Sequence, residues 1–202
     1  MAESSITVAG AATHTNTRTI AAATMHDQYV LPGEFAYASY TIQAQNVSIA
    51  TTGAHLLEVM AGSSLNVRIR RIWIEQAVNA TTVTRATFQL YRLSTAGTGG
   101  TALTPAKMDT ADSASGATAM TLATAKGTET TLVGTRRIVM TQATAATVTQ
   151  PEESAEFDWR SPNFKSLVVP SGTSNGVAVV VLVGVAAATV DVYVEFCETS
   201  FV

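Results

Sequence analysis

The sequence has little charge and a single cysteine, and each shortage excludes a class of protein. Lys, Arg, Asp and Glu make up 13% of the 202 residues, about half the usual share. The net charge of −3 argues against nucleic-acid binding, because that function needs basic charge to displace counterions from phosphates. Cys197 cannot form an intrachain disulfide, so stability does not depend on oxidation.

Groups that could perform chemistry are also scarce. The three histidines are His14, His26 and His55, and no His, Cys, Asp or Glu cluster has the spacing of metal ligands. Asp109 and Asp112 offer too few oxygen donors for Ca²⁺ and are interpreted as part of a solvated turn. The pattern G-x-S-x-G occurs once, as GTSNG at residues 172–176, in a predicted turn that no helix follows, so it does not form a nucleophile elbow. We therefore expect no enzyme activity, no catalytic residue, no bound metal and no cofactor.

Targeting and membrane signals are missing as well. The first ten residues, MAESSITVAG, lack the basic start and apolar stretch of a secretory signal. The apolar run at residues 176–190, GVAVVVLVGVAAATV, is shorter than the roughly 20 residues that cross a bilayer, and it is rich in valine. Because valine favours strands, we interpret this run as a buried strand with a tight connection to the next, and we expect no membrane association.

From Tyr40 onward the chain alternates apolar and polar residues, which is the pattern of β-strands with one buried face. The clearest examples are LNVRIRRIWIEQA at residues 65–77, RATFQLYRLS at 85–94 and VDVYVEFCE at 190–198. In the first of these the apolar phase flips after Arg71, which predicts a β-bulge. Further strands are predicted at residues 131–141, 155–159, 166–169 and 177–185, with turn residues between them.

Eight to ten strands without intervening helices predict an all-β fold, an antiparallel β-sandwich or barrel. The length favours a jelly-roll-like sandwich, with an immunoglobulin-like sandwich as the alternative. Residues 1–34 show no sustained period and are interpreted as an extended N-terminal arm, with the sandwich domain at 35–202. An arm so poor in large apolar groups would be ordered only by lying on a neighbour, or it would be a disordered tail.

Small residues dominate the chain and one stretch in particular. There are 33 Ala and 32 Thr, and the low charge suits a surface covered by other copies or by a partner. The stretch GTGGTALTPAKMDTADSASGATA, residues 97–119, contains four glycines and few large side chains. Because small side chains let backbones approach closely, its residues are predicted contacts with a neighbouring subunit or lattice: Gly99, Gly100, Thr101 and Pro105.

Arginines on one predicted strand form a second candidate contact set. Arg68, Arg70 and Arg71 could meet acidic groups on a neighbouring subunit, since arginine is favoured in interface ion pairs. The alternative is a solvated strand face. Trp73 and Trp159 are interpreted as core or interface aromatics rather than a sugar platform, and Cys197 as a buried or half-buried side chain.

The run FQLYRLSTAGTGGTALTPAKMDTADSASGATA, residues 88–119, resembles small structural proteins of tailed bacteriophages. The resemblance consists of a strand ending in Tyr91-Arg92, a GGT-x-x-TP loop and an Asp- and Ala-rich segment. HLLEVMAGSSLNVRIRRIWIEQA looks like the opening strands of the same group. The likeness extends over about residues 54–200 and leaves out the arm. It implies a β-sandwich virion component, such as a capsid decoration (cement) protein or another head or tail accessory, without catalytic residues.

The expected function is therefore structural. We expect the protein to be made in the host cytoplasm and to form a homo-oligomer, with a trimer as the expected state. At the virion surface it would stabilise the lattice of the major capsid protein. No nucleic-acid or membrane partner is expected. The alternative is a receptor- or carbohydrate-binding β-sandwich of a phage tail or cell surface. A hydrolase on a β scaffold lacks a set of catalytic residues.

Overall fold

A computed structural model describes residues 14–20, 23–29, 37–78, 80, 83–140, 154–160 and 165–200. The chain divides into two compact units, Met1–Ala36 and Tyr37–Val202. In the first unit, β1 (His14–Ile20) and β2 (Ala23–Tyr29) pair as an antiparallel hairpin. The sequence predicted an extended arm or a disordered tail here and did not identify the two strands, because HTNTRTI and ATMHDQY have no apolar period.

The second unit is a sandwich of two antiparallel sheets, as the alternating pattern predicted. Sheet I has the order β11-β5-β14-β3-β8, and β12 also pairs with β5. Its strands are β3 (Ser39–Ser48), β5 (Asn66–Val78), β8 (Ala106–Lys107), β11 (Ser154–Asp158), β12 (Leu167–Val169) and β14 (Thr189–Thr199).

Sheet II has the order β10-β6-β13-β4-β9-β7. Its strands are β4 (His55–Met60), β6 (Thr84–Leu93), β7 (Thr101–Leu103), β9 (Thr118–Thr121), β10 (Glu129–Met140) and β13 (Gly176–Val183). In sheet I the last strand, β14, lies between β3 and β5, and in sheet II β13 lies between β4 and β6. This insertion of late strands between early ones is the connectivity of a jelly roll.

The core lies between the inner faces of the two sheets. Alternation places Val190, Val192, Val194 and Phe196 of β14 inside, each at most 1% exposed, while Tyr193 and Glu195 face outward. The largest buried side chains come from both sheets, so each sheet covers the apolar inner face of the other. They include Tyr40, Phe88, Phe157, Phe196, Ile42, Leu57, Ile69, Ile72 and Leu90.

The predicted bulge in β5 is confirmed. Glu195 pairs with Arg71 and the next residue of β14, Phe196, pairs with Ile69, so Arg70 is the extra residue. The irregularity lets Ile69 and Ile72 both point into the core although they are three residues apart. The partners on the other side of β5 change at the same place, from β11 opposite Arg71 to β12 opposite Ile69.

The long strands predicted from alternation are present, with ends that differ by one or two residues. The predicted Asp109–Asp112 turn is present, since Asp112 N–H donates to Asp109 O at 3.1 Å. In the second unit, the strands that the sequence did not predict are β7, β8 and β9, which lie in the small-residue stretch or at its end. Among the described residues, no helix is long and apolar enough to cross a membrane.

Candidate functional site

The small-residue stretch belongs to a long excursion between β6 and β10 that wraps around one edge of the sandwich. β6 and β10 are neighbours at one side of sheet II, whereas β7 and β9 are at the opposite side. Residues 94–100 and 122–128, here called the crossing links, must therefore pass over β13 and β4 in opposite directions. They run side by side, since Thr98 N–H donates to Ala125 O at 2.8 Å and Ala125 N–H to Thr98 O at 3.1 Å.

A buried glutamate of β4 fastens both crossing links. Glu58 is 1% exposed, and its carboxylate accepts hydrogen bonds from Gly97 N–H at 2.7 Å and Gly127 N–H at 3.0 Å. A Cβ atom on Gly97 would lie 2.5 Å from Glu58 Oε1, and one on Gly127 would lie 2.4 Å from Thr95 O. The two positions therefore require glycine because the backbone approaches the carboxylate and the opposite link so closely.

The same glutamate binds His55, the only histidine of the second unit. His55 is 0% exposed; its Nδ1 lies 2.7 Å from Glu58 Oε1 and its Nε2 lies 2.9 Å from Glu129 Oε1. Because both ring nitrogens face a carboxylate, the arrangement requires two N–H donors and hence the imidazolium form. We call His55, Glu58 and Glu129 the His55 cluster.

The protonation of this cluster follows from its contacts. Burial opposes the positive charge of His55, yet the hydrogen bonds to Glu58 and Glu129 outweigh it and raise the pKa of the imidazole. Burial likewise opposes the charge of Glu58, and the hydrogen bonds from His55, Gly127 and Gly97 outweigh it and lower the pKa of that carboxyl. The cluster is thus a buried ion pair that holds β4, both crossing links and the start of β10 together.

A second buried carboxylate holds the other end of the excursion. Glu198 of β14 is 4% exposed and accepts hydrogen bonds from Ser115 Oγ at 2.8 Å, Ala117 N–H at 2.9 Å and Gly116 N–H at 3.2 Å. Tyr40 donates its hydroxyl to Ser113 O at 3.0 Å. The excursion is therefore fixed to the body by glutamates from both sheets.

The excursion leaves a groove at the edge where it passes from one sheet to the other. β8 pairs with β3 only at Tyr40 and Thr41, and no described strand pairs with β3 beyond Thr41 on that side. β7 forms the facing edge of sheet II. Between them lies a cavity of about 540 Å³, here called the edge groove, which is lined by residues 43–48, Thr101, Leu103, Thr121 and Leu122.

The predicted contact residues of the excursion lie along this edge. Thr101 lines the edge groove, Gly99 is exposed with a φ of 74°, and Pro105 lies in the short link between β7 of sheet II and β8 of sheet I. Gly100 packs within the chain, because a Cβ there would lie 2.4 Å from Thr121 O. The sequence predicted that the backbone at Gly100 approaches a neighbouring subunit. In the structure it approaches Thr121 of the same chain.

The arginine set lies elsewhere, on β5 in the middle of sheet I. Arg68, Arg70 and Arg71 belong to a different sheet from Thr101, so the two predicted contact sets do not form one site. Arg71 already has acidic partners in its own chain, Glu156 of β11 and, at 4.0 Å, Glu195 of β14. An ion pair of this half-exposed kind stabilises by about 0–1 kcal/mol.

The outer face of sheet I also bears the only pair of aromatic rings that could resemble a sugar platform among the described residues. Trp73 and Tyr193 are cross-strand partners with ring centroids 5.7 Å apart. The guanidinium of Arg71 lies 4.6 Å from the Trp73 centroid and covers one face of the indole. Trp159 is partly buried against the core and stacks on Phe157 at 6.3 Å. Cys197 is buried, as predicted.

Among the residues that the structure describes, no group of three or more His, Cys, Asp or Glu side chains is arranged so that it could hold a metal ion. The aspartates of the excursion accept hydrogen bonds from backbone N–H groups instead. Asp112 accepts a hydrogen bond from Ser39 N–H at 3.1 Å, and Asp109 accepts one from Ala111 N–H at 2.9 Å. His14 and His26 belong to the first unit, in β1 and β2.

The fold and the edge groove define a class, a jelly-roll β-sandwich with an excursion across sheet II and an open edge beside it. Comparisons with protein-family models, with curated proteins and with solved structures found no match to this chain. Because a jelly roll is shared by capsid proteins, lectins and enzymes, the function has to be argued from the site.

Proposed function

We propose that this chain is a non-enzymatic structural protein of a tailed-bacteriophage virion, a decoration or cement protein that self-associates and stabilises the head lattice. The observation that supports this proposal best is the edge groove, an uncharged depression along the edge of β3 that no described strand pairs with beyond Thr41. Exposed strand edges pair readily with other chains, and monomeric proteins usually protect them with charge or cover them. No charged residue lines this groove.

The composition and the resemblance of residues 88–119 point in the same direction. Charged residues make up 13% of the chain, about half the usual share, and this low charge suits a surface that other copies or a partner cover. A trimer docked on a lattice would bury much of that surface. Copies that bind only the assembled head would raise its stability by mass action, because dissociation of the lattice then also requires their release.

The test is binding of the purified chain to undecorated heads of the phage that encodes it, measured by co-sedimentation over a range of ratios. The proposal expects saturation at a fixed number of copies per lattice unit and greater resistance of the decorated heads to heat. Binding without saturation, or no binding, would contradict it.

The receptor- or carbohydrate-binding alternative has one observation in its favour, the Trp73–Tyr193 pair with Gln43 beside it. Gln43 Nε2 donates to the Tyr193 hydroxyl at 2.9 Å, and a cavity of about 120 Å³ lies against both rings. Arg71 reduces the indole surface on which a sugar could stack. Retention on a glycan array, lost in Trp73→Ala and kept in Trp159→Ala, together with no binding to heads, would favour this alternative.

A further inference from the structure

The open wall of the edge groove presents backbone hydrogen-bonding groups as well as side chains. On the side of β3 that faces β8, Met108 N–H donates to Ser39 O at 2.9 Å, and Thr41 pairs with Ala106. In an antiparallel ladder the groups that face one side belong to every second residue. The N–H and C=O groups of Gln43 and Gln45 therefore face the groove, where no described strand meets them.

The groove suits a strand of low charge and limited length. Gln43, Ala44 and Gln45 form a regular edge of about 10 Å at 3.3 Å per residue. Asn46 interrupts this edge, because its φ is 53° and the pairing with β14 shifts register there. All the residues that line the groove are uncharged, so a charged occupant would lose hydration without gaining an ion pair. An extended segment rich in Thr, Val and Ala would instead pair with β3 and lay small side chains against Leu103 and Leu122.

The chain contains such a segment in its first unit. β1 has seven residues, HTNTRTI, with one charged side chain, and residues 4–17 contain no Asp, Glu, Lys or Arg. A two-stranded hairpin is marginally stable in water and gains stability from a third strand. The β1–β2 hairpin thus has the low charge and the need for a partner that suit the open edge of β3.

A second copy is the better source of this hairpin than the same copy. The first unit joins the body at Tyr37, immediately before β3. β8 occupies the edge of β3 at Tyr40 and Thr41, and Asp112 of the following turn accepts a hydrogen bond from Ser39 N–H. The self-association of the proposed function needs a contact between copies, and a hairpin received from a second copy would supply it.

We propose that the edge groove of one copy receives the β1–β2 hairpin of a second copy, which adds to the open edge of β3 by strand pairing. This inference rests on the self-association in the proposed function and names the contact that produces it. Exchange of this kind around a closed ring links each subunit to the next through the same pair of surfaces.

Photocrosslinking between isotopically distinct copies tests the inference on the full chain. A benzophenone side chain replaces Thr101 on the β7 wall of the groove in an unlabelled protein, which is mixed with ¹⁵N-labelled chain. The control places the benzophenone at Arg137, exposed on β10 at the other side of sheet II. The inference expects linked peptides that join Thr101 of the unlabelled copy to labelled residues 14–29, and no such link from the control position.

The other outcomes separate the groove from the proposed function. Links confined to one isotope show that the hairpin docks on its own copy and overturn the inference. Links to residues of the body, or an oligomer that forms no link from position 101, also overturn it but leave self-association standing. A chain that stays monomeric at every concentration overturns both the inference and the proposed function.

A matched pair of variants tests the strand pairing itself. Gln45→Pro removes the N–H that faces the groove, whereas Gln45→Ala removes the side chain and keeps the N–H; proline is tolerated at outward positions of edge strands. The loss of one backbone hydrogen bond should weaken subunit association roughly two- to tenfold in Gln45→Pro, with little change in Gln45→Ala. Equal association of the two variants, with the circular dichroism of the parent, would overturn the inference.

Discussion

Replacing Glu58 with glutamine removes the carboxylate that holds both crossing links and neutralises one partner of His55. The amide has one oxygen in place of two, so it cannot accept from Gly97 N–H, Gly127 N–H and His55 Nδ1 together. Breaking a buried ion pair by removing one partner destabilises a protein by about 3–5 kcal/mol. For a domain of this size that loss lowers Tm by about 6–20 °C.

The control is the same substitution at a half-exposed site. Glu156 is 34% exposed and pairs with Arg71 and Arg160, and a pair of this kind stabilises by about 0–1 kcal/mol. Urea unfolding followed by circular dichroism should therefore separate Glu58→Gln from Glu156→Gln by at least about 2 kcal/mol. If the two variants unfold at the same urea concentration, the buried cluster does not hold the excursion as described.

The remaining predictions concern pH and close packing. Because the pKa of Glu58 is lowered, its carboxylate stabilises the fold above the ordinary pKa of 4.5. This stabilisation is lost as pH falls through the lowered pKa. Because the pKa of His55 is raised, its imidazolium stabilises the fold below the ordinary pKa of 6.5. This stabilisation is lost as pH rises through the raised pKa. Urea unfolding should show greatest stability between these two ordinary values, and His55→Gln should remove the decline on the alkaline side. Gly100→Ala places a Cβ 2.4 Å from Thr121 O and should lower stability by about 1–3 kcal/mol. Gly116→Ala has its nearest atom at 3.8 Å and should unfold within about 0.5 kcal/mol of the parent; equal loss in both variants would refute the packing argument.

The sandwich could be predicted because its strands have a buried and an open face. In β14 the alternation of valine with polar residues shows directly which side chains enter the core, and in β5 the flip after Arg71 reveals the bulge. Both are local signals of period two that need no knowledge of the partner strand. The strand at residues 177–185 was predicted from a different signal, a valine-rich run that is too short to cross a bilayer.

The excursion could not be predicted in the same way. β7, β8 and β9 have two to four residues each, and their Ala and Thr side chains give no period. His55 and Glu129 are 74 positions apart, so their pairing depends on the path of the crossing links. The signals that could have indicated it are the charged pair His55 and Glu58 inside the otherwise apolar β4, which needs buried partners, and the glycines at 97 and 127.

The excursion is consequently part of the body and not a free loop. Two buried carboxylates, Glu58 and Glu198, satisfy backbone N–H groups at its start, middle and end. This attachment keeps β7 and Leu122 in place as one wall of the edge groove. A wall that is already ordered loses little conformational entropy of its own when a strand docks against it.

Electron cryo-microscopy of undecorated heads incubated with the purified chain tests the central claim most directly. The proposed function predicts extra density at symmetry-related positions of the lattice, into which several copies of the 21.1 kDa chain fit. The proposed strand addition predicts, in the same density, a β1–β2 hairpin of each copy at the edge groove of the next. A bare lattice under conditions where the chain is folded, or copies that occupy the tail alone, would contradict it.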